Sequence, residues 1–135
     1  MEKIVVIGSA NVDMVVKTNR LPKPGETVLG GTFFMNAGGK GANQAVAAAR
    51  LGGNVTLITK VGNDIFGKQA IKGFHKEKIN TRFIFTHKDE ASGAALIIIN
   101  EKGENCIVVA PGANAHLLPE DIEKVTRLCR ADIIL

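Results

Sequence analysis

The chain has 135 residues, 45% of them apolar and 22% charged, with a formal net charge of +4 at pH 7. That composition fits an ordinary globular domain large enough to bury a core, and it excludes a disordered or low-complexity chain. With no Trp or Tyr and with its charges interspersed, it lacks a stacking nucleic-acid surface, and no run reaches the ~18 apolar residues of a membrane helix.

Cys106 and Cys129 form no C-x-x-C pair, so both are expected as small core hydrophobes in a reduced, cytoplasmic setting. His75, His87 and His116 lack metal-ligand spacing and receive no role. Met1-Glu2-Lys3 leads into a short strand rather than a signal peptide.

Ile4-Val5-Val6-Ile7 is a continuous β-branched run ending at Gly8, the pattern of a strand buried on both faces. Asn11-Val12-Asp13 follows; in an extended chain Asn11 and Asp13 point to one side and Val12 to the other. An amide and a carboxylate on one face suit a vicinal diol, because the carboxylate accepts hydroxyl protons while the amide donates and accepts. An Asx turn at a strand end would use the same residues.

Val15-Val16-Lys17, the proline-rich turn Leu21-Pro22-Lys23-Pro24-Gly25-Glu26 and Thr27-Val28-Leu29 predict strand, turn, strand. Gly30-Gly31 interrupts, and Thr32-Phe33-Phe34-Met35 resumes a β-prone stretch. This antiparallel-looking insertion separates the first strand from Ala37-Gly38-Gly39-Lys40-Gly41-Ala42-Asn43-Gln44, which runs into an alanine-rich helix ending near Gly52-Gly53. A glycine turn that feeds a helix start directs unpaired N–H groups and the positive dipole end at one spot, suited to an oxygen-rich or anionic ligand; a glycine-rich linker that merely caps a buried alanine helix would use the same residues. Asn43 adds a side-chain donor and acceptor there. The turn is no Walker A loop, since Phe34 stands where the first glycine belongs and Gly41 follows the lysine. No G-x-G-x-x-G opens a helix after the first strand, so the Rossmann fingerprint fails as well.

Val55-Thr56-Leu57-Ile58-Thr59 predicts another buried strand, and Gly62-Asn63-Asp64 caps a helix whose Phe66, Ala70 and Phe74 share a face. Strand–helix–strand–helix at this spacing implies βαβ units and a parallel sheet. Phe83-Ile84-Phe85 is a further candidate strand. Residues 94–99 and 106–109 form a hairpin around Gly103. Pro111-Gly112-Ala113-Asn114 is a loop, and Leu118-Pro119-Glu120-Asp121 opens a helix with Ile122, Val125 and Leu128 on its buried face. Ala131-Asp132-Ile133-Ile134-Leu135 begins another β run.

The string Gly38-Gly39-Lys40-Gly41-Ala42-Asn43-Gln44-Ala45 resembles the first signature of the ribokinase-like (PfkB-type) carbohydrate kinases. The resemblance covers nearly the whole chain but only the N-terminal part of the family pattern. It implies an α/β fold: the N-terminal part of a three-layer α/β/α architecture with parallel βαβ units plus a small antiparallel β lid. One partial domain would span residues 1–135, with lid strands from about 14–36 and 91–110 inserted in it.

As sugar-binding residues the resemblance implies Asn11, Val12, Asp13, Gly38, Gly39, Lys40, Gly41, Ala42 and Asn43, with Ala95, Ile97 and Val109 as apolar lid contacts. For each of the last three, ordinary strand packing is an equal alternative. The Lys40 ammonium is read as solvated surface rather than a phosphate contact. The family's catalytic aspartate sits in a Gly-Ala-Gly-Asp motif that does not occur here, so no catalytic residue and no metal ligand is expected within the chain. The implied activity is phosphoryl transfer from ATP to the 5-hydroxyl of D-ribose, with Mg2+ and K+ held mostly outside this chain. A homodimer through the lid is also implied, with no nucleic-acid or membrane partner. The chain alone is expected to be inactive. A kinase for another sugar or a nucleoside, and a non-catalytic sugar-binding or dimerisation module, are the alternatives.

Overall fold

The computed structural model describes residues 2–126 and 131–135. In chain order come strands β1 (Lys3–Ile7), β2 (Asn11–Lys17) and β3 (Thr32–Gly38), helix α1 (Lys40–Arg50), strand β4 (Asn54–Gly62) and helix α2 (Ile65–Lys76). Strands β5 (Ile84–His87), β6 (Gly93–Ile99) and β7 (Asn105–Ala110) follow, then a 3-10 turn (Gly112–His116), helix α3 (Pro119–Thr126) and strand β8 (Ile133–Ile134).

A parallel sheet in the order β5-β4-β1-β8 forms the centre. The β-branched runs of β1 and β4 send alternate side chains to opposite faces. Val6, Val55 and Leu57 pack with Ala42, Ala45 and Phe74 of α1 and α2. Val5 and Ile58 pack on the other face with Val125 of α3. Leu57 and Ile58 are completely buried, each contributing about 1.5–3 kcal/mol. Helices thus cover both faces, the expected α/β arrangement. Leu128 and Cys129 lie outside the described residues.

Helices α1 and α2 are closed and capped as their sequences direct. At the end of α1, Gly53 N–H donates to Ala48 O (2.9 Å) and Gly52 N–H to Ala49 O (3.0 Å), the crossed pair of a Schellman motif. Asp64 caps α2, its side chain accepting from Gly67 N–H (2.8 Å). Lys60 reaches from β4 to His116 O (2.6 Å) and to Asp121, tying the 3-10 turn and α3 to the sheet.

A second four-stranded sheet has the order β3-β2-β6-β7. Two of its three pairings are antiparallel as expected, but the central one, β2 with β6, is parallel, so the sheet is mixed. The cause is topological. β2 leaves the central sheet after β1 and β6 leaves it after β5; these two strands are parallel, so the chain departs from the same carboxyl end of the sheet each time and runs in the same direction. β3 and β7 then fold back beside them.

Other local expectations shift. Residues 27–29 form no strand; Leu29 is 88% exposed, and β3 already occupies the full length of β2. β3 continues through Ala37 and Gly38, leaving Gly39 as the turn. Pro111-Gly112-Ala113-Asn114 runs into the 3-10 turn instead of an open loop. Cys106 is exposed on β7 rather than packed in the core, because β7 is an edge strand.

Candidate functional site

The site grows from the carboxyl end of β1, where open α/β sheets place their ligand crevices. After Ile7 the chain crosses into β2, and Gly39 returns it from β3 into α1. Gly39 has φ 98°, and a Cβ there would sit 2.5 Å from Ser9 O, so the chain can turn here only without a side chain. Gly41 lies in the same crossing, where a Cβ would stand 2.7 Å from the Gly8 backbone.

The first turn of α1 has no side-chain cap. Ala42 N–H donates to Ser9 O (3.0 Å) and Asn43 N–H to Gly39 O (2.9 Å). Among the described residues the amides of Lys40 and Gly41 have no acceptor. Those two donors and the helix dipole are available to a ligand oxygen. The Ala42 methyl is in the core, while the Lys40 and Asn43 side chains are exposed.

Strand register fixes which neighbours face Asp13. Asp13 pairs with Asn36 on one side and with Ala95 on the other, and Ala95 pairs with Val109. Directly paired residues share a sheet face, so Asn36, Asp13, Ala95 and Val109 form one row. Asn11 lies two positions earlier on the same face, between Gly38 and Gly93, and Ile97 lies two positions beyond, beside buried Val15. The predicted apolar contacts Ala95, Ile97 and Val109 therefore stand on the Asp13 face. Val12 points to the opposite face with Ala37 and Ala94. Asn36 was missed in the sequence, because only the β2–β3 register puts it beside Asp13.

Asp13 is half-buried, and its carboxylate has no hydrogen-bond donor among the described residues. Burial pushes its pKa above the ordinary 3.8. A half-buried carboxylate without a donor is an acceptor open to hydroxyl protons. Asn11 is held differently: its Oδ1 accepts from Asn114 Nδ2 (2.8 Å), across 103 positions of sequence. In the sequence Asn114 carries no signal beyond a loop position.

Beside these groups a cavity of about 870 Å3 opens between the second sheet and the helices α1 and α2. Asn11, Val12, Gly38 and Asn43 border it, with Met35 and Phe66 among its apolar walls, whereas Asp13 does not line it. Among the described residues, no group of three or more His, Cys, Asp or Glu side chains is placed to hold a metal ion. No helix among them is long and apolar enough to cross a membrane.

Residues 1–134 match the pattern of the pfkB family carbohydrate kinases. The mouse (Mus musculus) ribokinase is 46% identical over 133 residues, which is 98% of this chain and 41% of that protein. A deoxyribokinase of Salmonella typhi is also 46% identical, over 90% of this chain and 40% of its own length. Among solved structures, the Arabidopsis thaliana ribokinase complexed with ribose and ATP superimposes with a TM-score of 0.75 at 36% identity, covering 84% of this chain and 37% of that one. The chain thus spans about 41% or less of the length of these relatives.

Proposed function

The chain belongs to the pfkB family of carbohydrate kinases, and on that premise we propose that it forms the sugar-binding portion of an ATP-dependent D-ribose kinase. The phosphoryl group would pass from ATP to the ribose 5-hydroxyl. One observation carries the reading: the half-buried Asp13 carboxylate lacks a donor and lies on one sheet face with Asn11, beside the open amides of α1. That set suits a polyol, whose hydroxyls both donate to a carboxylate and accept from amides. Similarity to ribokinases, one solved with ribose and ATP, supports the choice of sugar and of phosphoryl donor.

Phosphoryl transfer needs an oriented hydroxyl, a group for its proton and positive charge around the transferring phosphoryl. This chain's residues supply the first. Asp13 and Asn11 hold ring hydroxyls, the Gly39–Lys40–Gly41 turn approaches an oxygen through its amides, and Ala95, Ile97 and Val109 cover the apolar side. Positioning of this kind removes entropy from the reacting pair before the transition state. No step is assigned here to Mg2+ or K+: among the described residues no group of three or more His, Cys, Asp or Glu side chains is placed to hold a metal ion. The base, the ATP site and the cation sites belong, in this proposal, to the larger part of the relatives' length that the chain does not span. Residues 1–135 alone would then bind sugar without turnover.

The second sheet is proposed as a lid over the sugar and as a dimer interface. In support, Met35, Leu96 and Val108 form an apolar row with Met14 on the face opposite Asp13, each of the three 48% exposed or more. A reduced, cytoplasmic setting completes the proposal, supported by the free, exposed Cys106.

The test is coupled ADP release by the full-length protein with MgATP, potassium and D-ribose, 2-deoxyribose or fructose. Ribose-dependent ADP is the expected result; no ADP with any sugar would overturn the kinase reading in favour of a binding module. The same 46% identity to a deoxyribokinase, over 121 residues rather than 133, favours 2-deoxyribose as the second candidate, and a higher kcat/KM for it would replace ribose.

A further inference from the structure

We propose that Asn114 is a positioning residue for sugar binding, which acts by fixing which end of the Asn11 amide faces the ligand. The inference rests on the reading of Asn11 as a sugar ligand and goes one step beyond it.

Asn114 is bonded so that its amide has a single orientation. Its Oδ1 accepts from Ala10 N–H (3.0 Å), and its Nδ2 donates to Ala10 O (3.1 Å). One side-chain amide therefore satisfies both backbone groups of a buried residue, as a neighbouring strand would. Turning the amide over would set oxygen against oxygen and N–H against N–H. The same nitrogen donates to Asn11 Oδ1 at 2.8 Å, its shortest contact, and lies 3.2 Å from Pro111 O. Two hydrogens thus serve three oxygens, with Asn11 taking the best-placed bond.

That bond decides the polarity of Asn11. With Oδ1 engaged, Nδ2 is the end left to act, and among the described residues it has no acceptor. Asn11 would donate to a sugar oxygen while Asp13, two residues on and on the same face, accepts a hydroxyl proton. A diol needs both partners, and a free amide would offer either end at random.

The surroundings keep Asn114 in place. Ala113 N–H donates to Ala91 O (2.8 Å), and Asn114 N–H donates to Pro111 O (3.1 Å). Gly93 makes the space: a Cβ there would overlap both Asn114 Nδ2 and Asn11 Oδ1. The pair therefore forms only where the 3-10 turn, the start of β6 and the start of β2 meet.

The experiment is calorimetric titration of D-ribose into the full-length protein and its Asn11→Ala, Asn114→Ala and Asn11→Ala/Asn114→Ala variants, with steady-state kinetics alongside. Asn114→Ala should weaken ribose about tenfold, the scale of one oriented hydrogen bond. It should raise the KM for ribose and leave the KM for ATP unchanged. In the Asn11→Ala background the second substitution should change affinity by less than about twofold, because its route to the ligand is gone. Asn114→Asp retains size and the bond from Ala10 N–H but cannot donate to Asn11 as a carboxylate. It should show a similar loss that shrinks, relative to wild type, as acid restores an O–H donor.

Full additivity of the two alanine variants would overturn the proposal, as would wild-type affinity in Asn114→Asp. If Asn11→Ala leaves ribose affinity unchanged, the ligand reading of Asn11 fails first and takes this inference with it. If Asn11→Ala weakens binding and neither Asn114 variant does, only the positioning role fails.

Discussion

The Asp13 carboxylate lies directly over Gly38 on the neighbouring strand, where a Cβ would overlap both of its oxygens. Glycine at this point leaves the carboxylate its place rather than relaxing the backbone: Gly38 is a strand residue paired with Asn11. Gly38→Ala should therefore displace Asp13 and lower ribose affinity more than tenfold in the full-length protein. Overpacking of this kind typically costs about 1–3 kcal/mol in stability. Titration calorimetry and urea unfolding of the same variant measure the two effects; unchanged affinity would show that Asp13 is free to move without loss.

Asp13→Asn should weaken ribose binding and yet stabilise the protein at neutral pH. Burial raises the Asp13 pKa above 3.8, so ionisation is harder in the folded chain than in the unfolded one. The stability linked to its proton is fully present below 3.8 and is lost as pH rises through the folded value. The asparagine variant has no such loss. Its advantage in unfolding temperature should be absent in acid, grow across that window and then stay level. An advantage that does not change with pH would assign the effect to something other than ionisation.

Asp64 is expected to act on the fold rather than on the ligand. Burial by itself would raise its pKa, but bonds from the Ser92 and Gly67 amides, the Ser92 hydroxyl and the Phe66 amide outweigh burial and hold the carboxyl below the usual range. It caps α2 and pins the entry to β6 through Ser92 N–H (2.7 Å) and Ser92 Oγ (2.7 Å). Asp64→Ala should cost about 2–3 kcal/mol, a lost cap plus hydrogen bonds to a charged group. The contribution is present above pH 3.8 and disappears as pH falls through the lowered folded value. Denaturant titration at neutral and acid pH checks both magnitude and sign.

Leu96→Asp should break the proposed dimer. Leu96 is 54% exposed at the middle of the apolar row, and a carboxylate there would be buried against the second copy. Sedimentation of the full-length protein should change from dimer to monomer at micromolar concentration. A wild-type protein that already sediments as a monomer would remove the interface.

Much of this structure is written locally. The β-branched run at residues 4–7, the alanine helix closed by Gly52-Gly53, the Asp64 cap and the hairpin around Gly103 each depend on neighbours a few positions away, and each forms as its sequence indicates. The Gly38–Asn43 string carries the family resemblance, and within it Gly39 and Gly41 answer to close backbone approaches that few other residues permit. Which strand pairs with which was not legible in this way. Thr27-Val28-Leu29 has strand-forming residues, yet β3 rather than this segment pairs with β2, and β6 runs parallel to β2 because both follow the carboxyl ends of parallel strands.

Local sequence thus sufficed for most of the elements and for putting Asn11 and Asp13 on one strand face, while the family came from the resemblance of the glycine string. That Cys106 faces solvent, that Asn36 and Ala95 flank Asp13 and that Asn114 grips Asn11 emerged from the assembled fold. The reason is physical: periodicity and capping are short-range properties of the chain, whereas a hydrogen bond spanning 103 positions exists only once two sheets and a 3-10 turn have met.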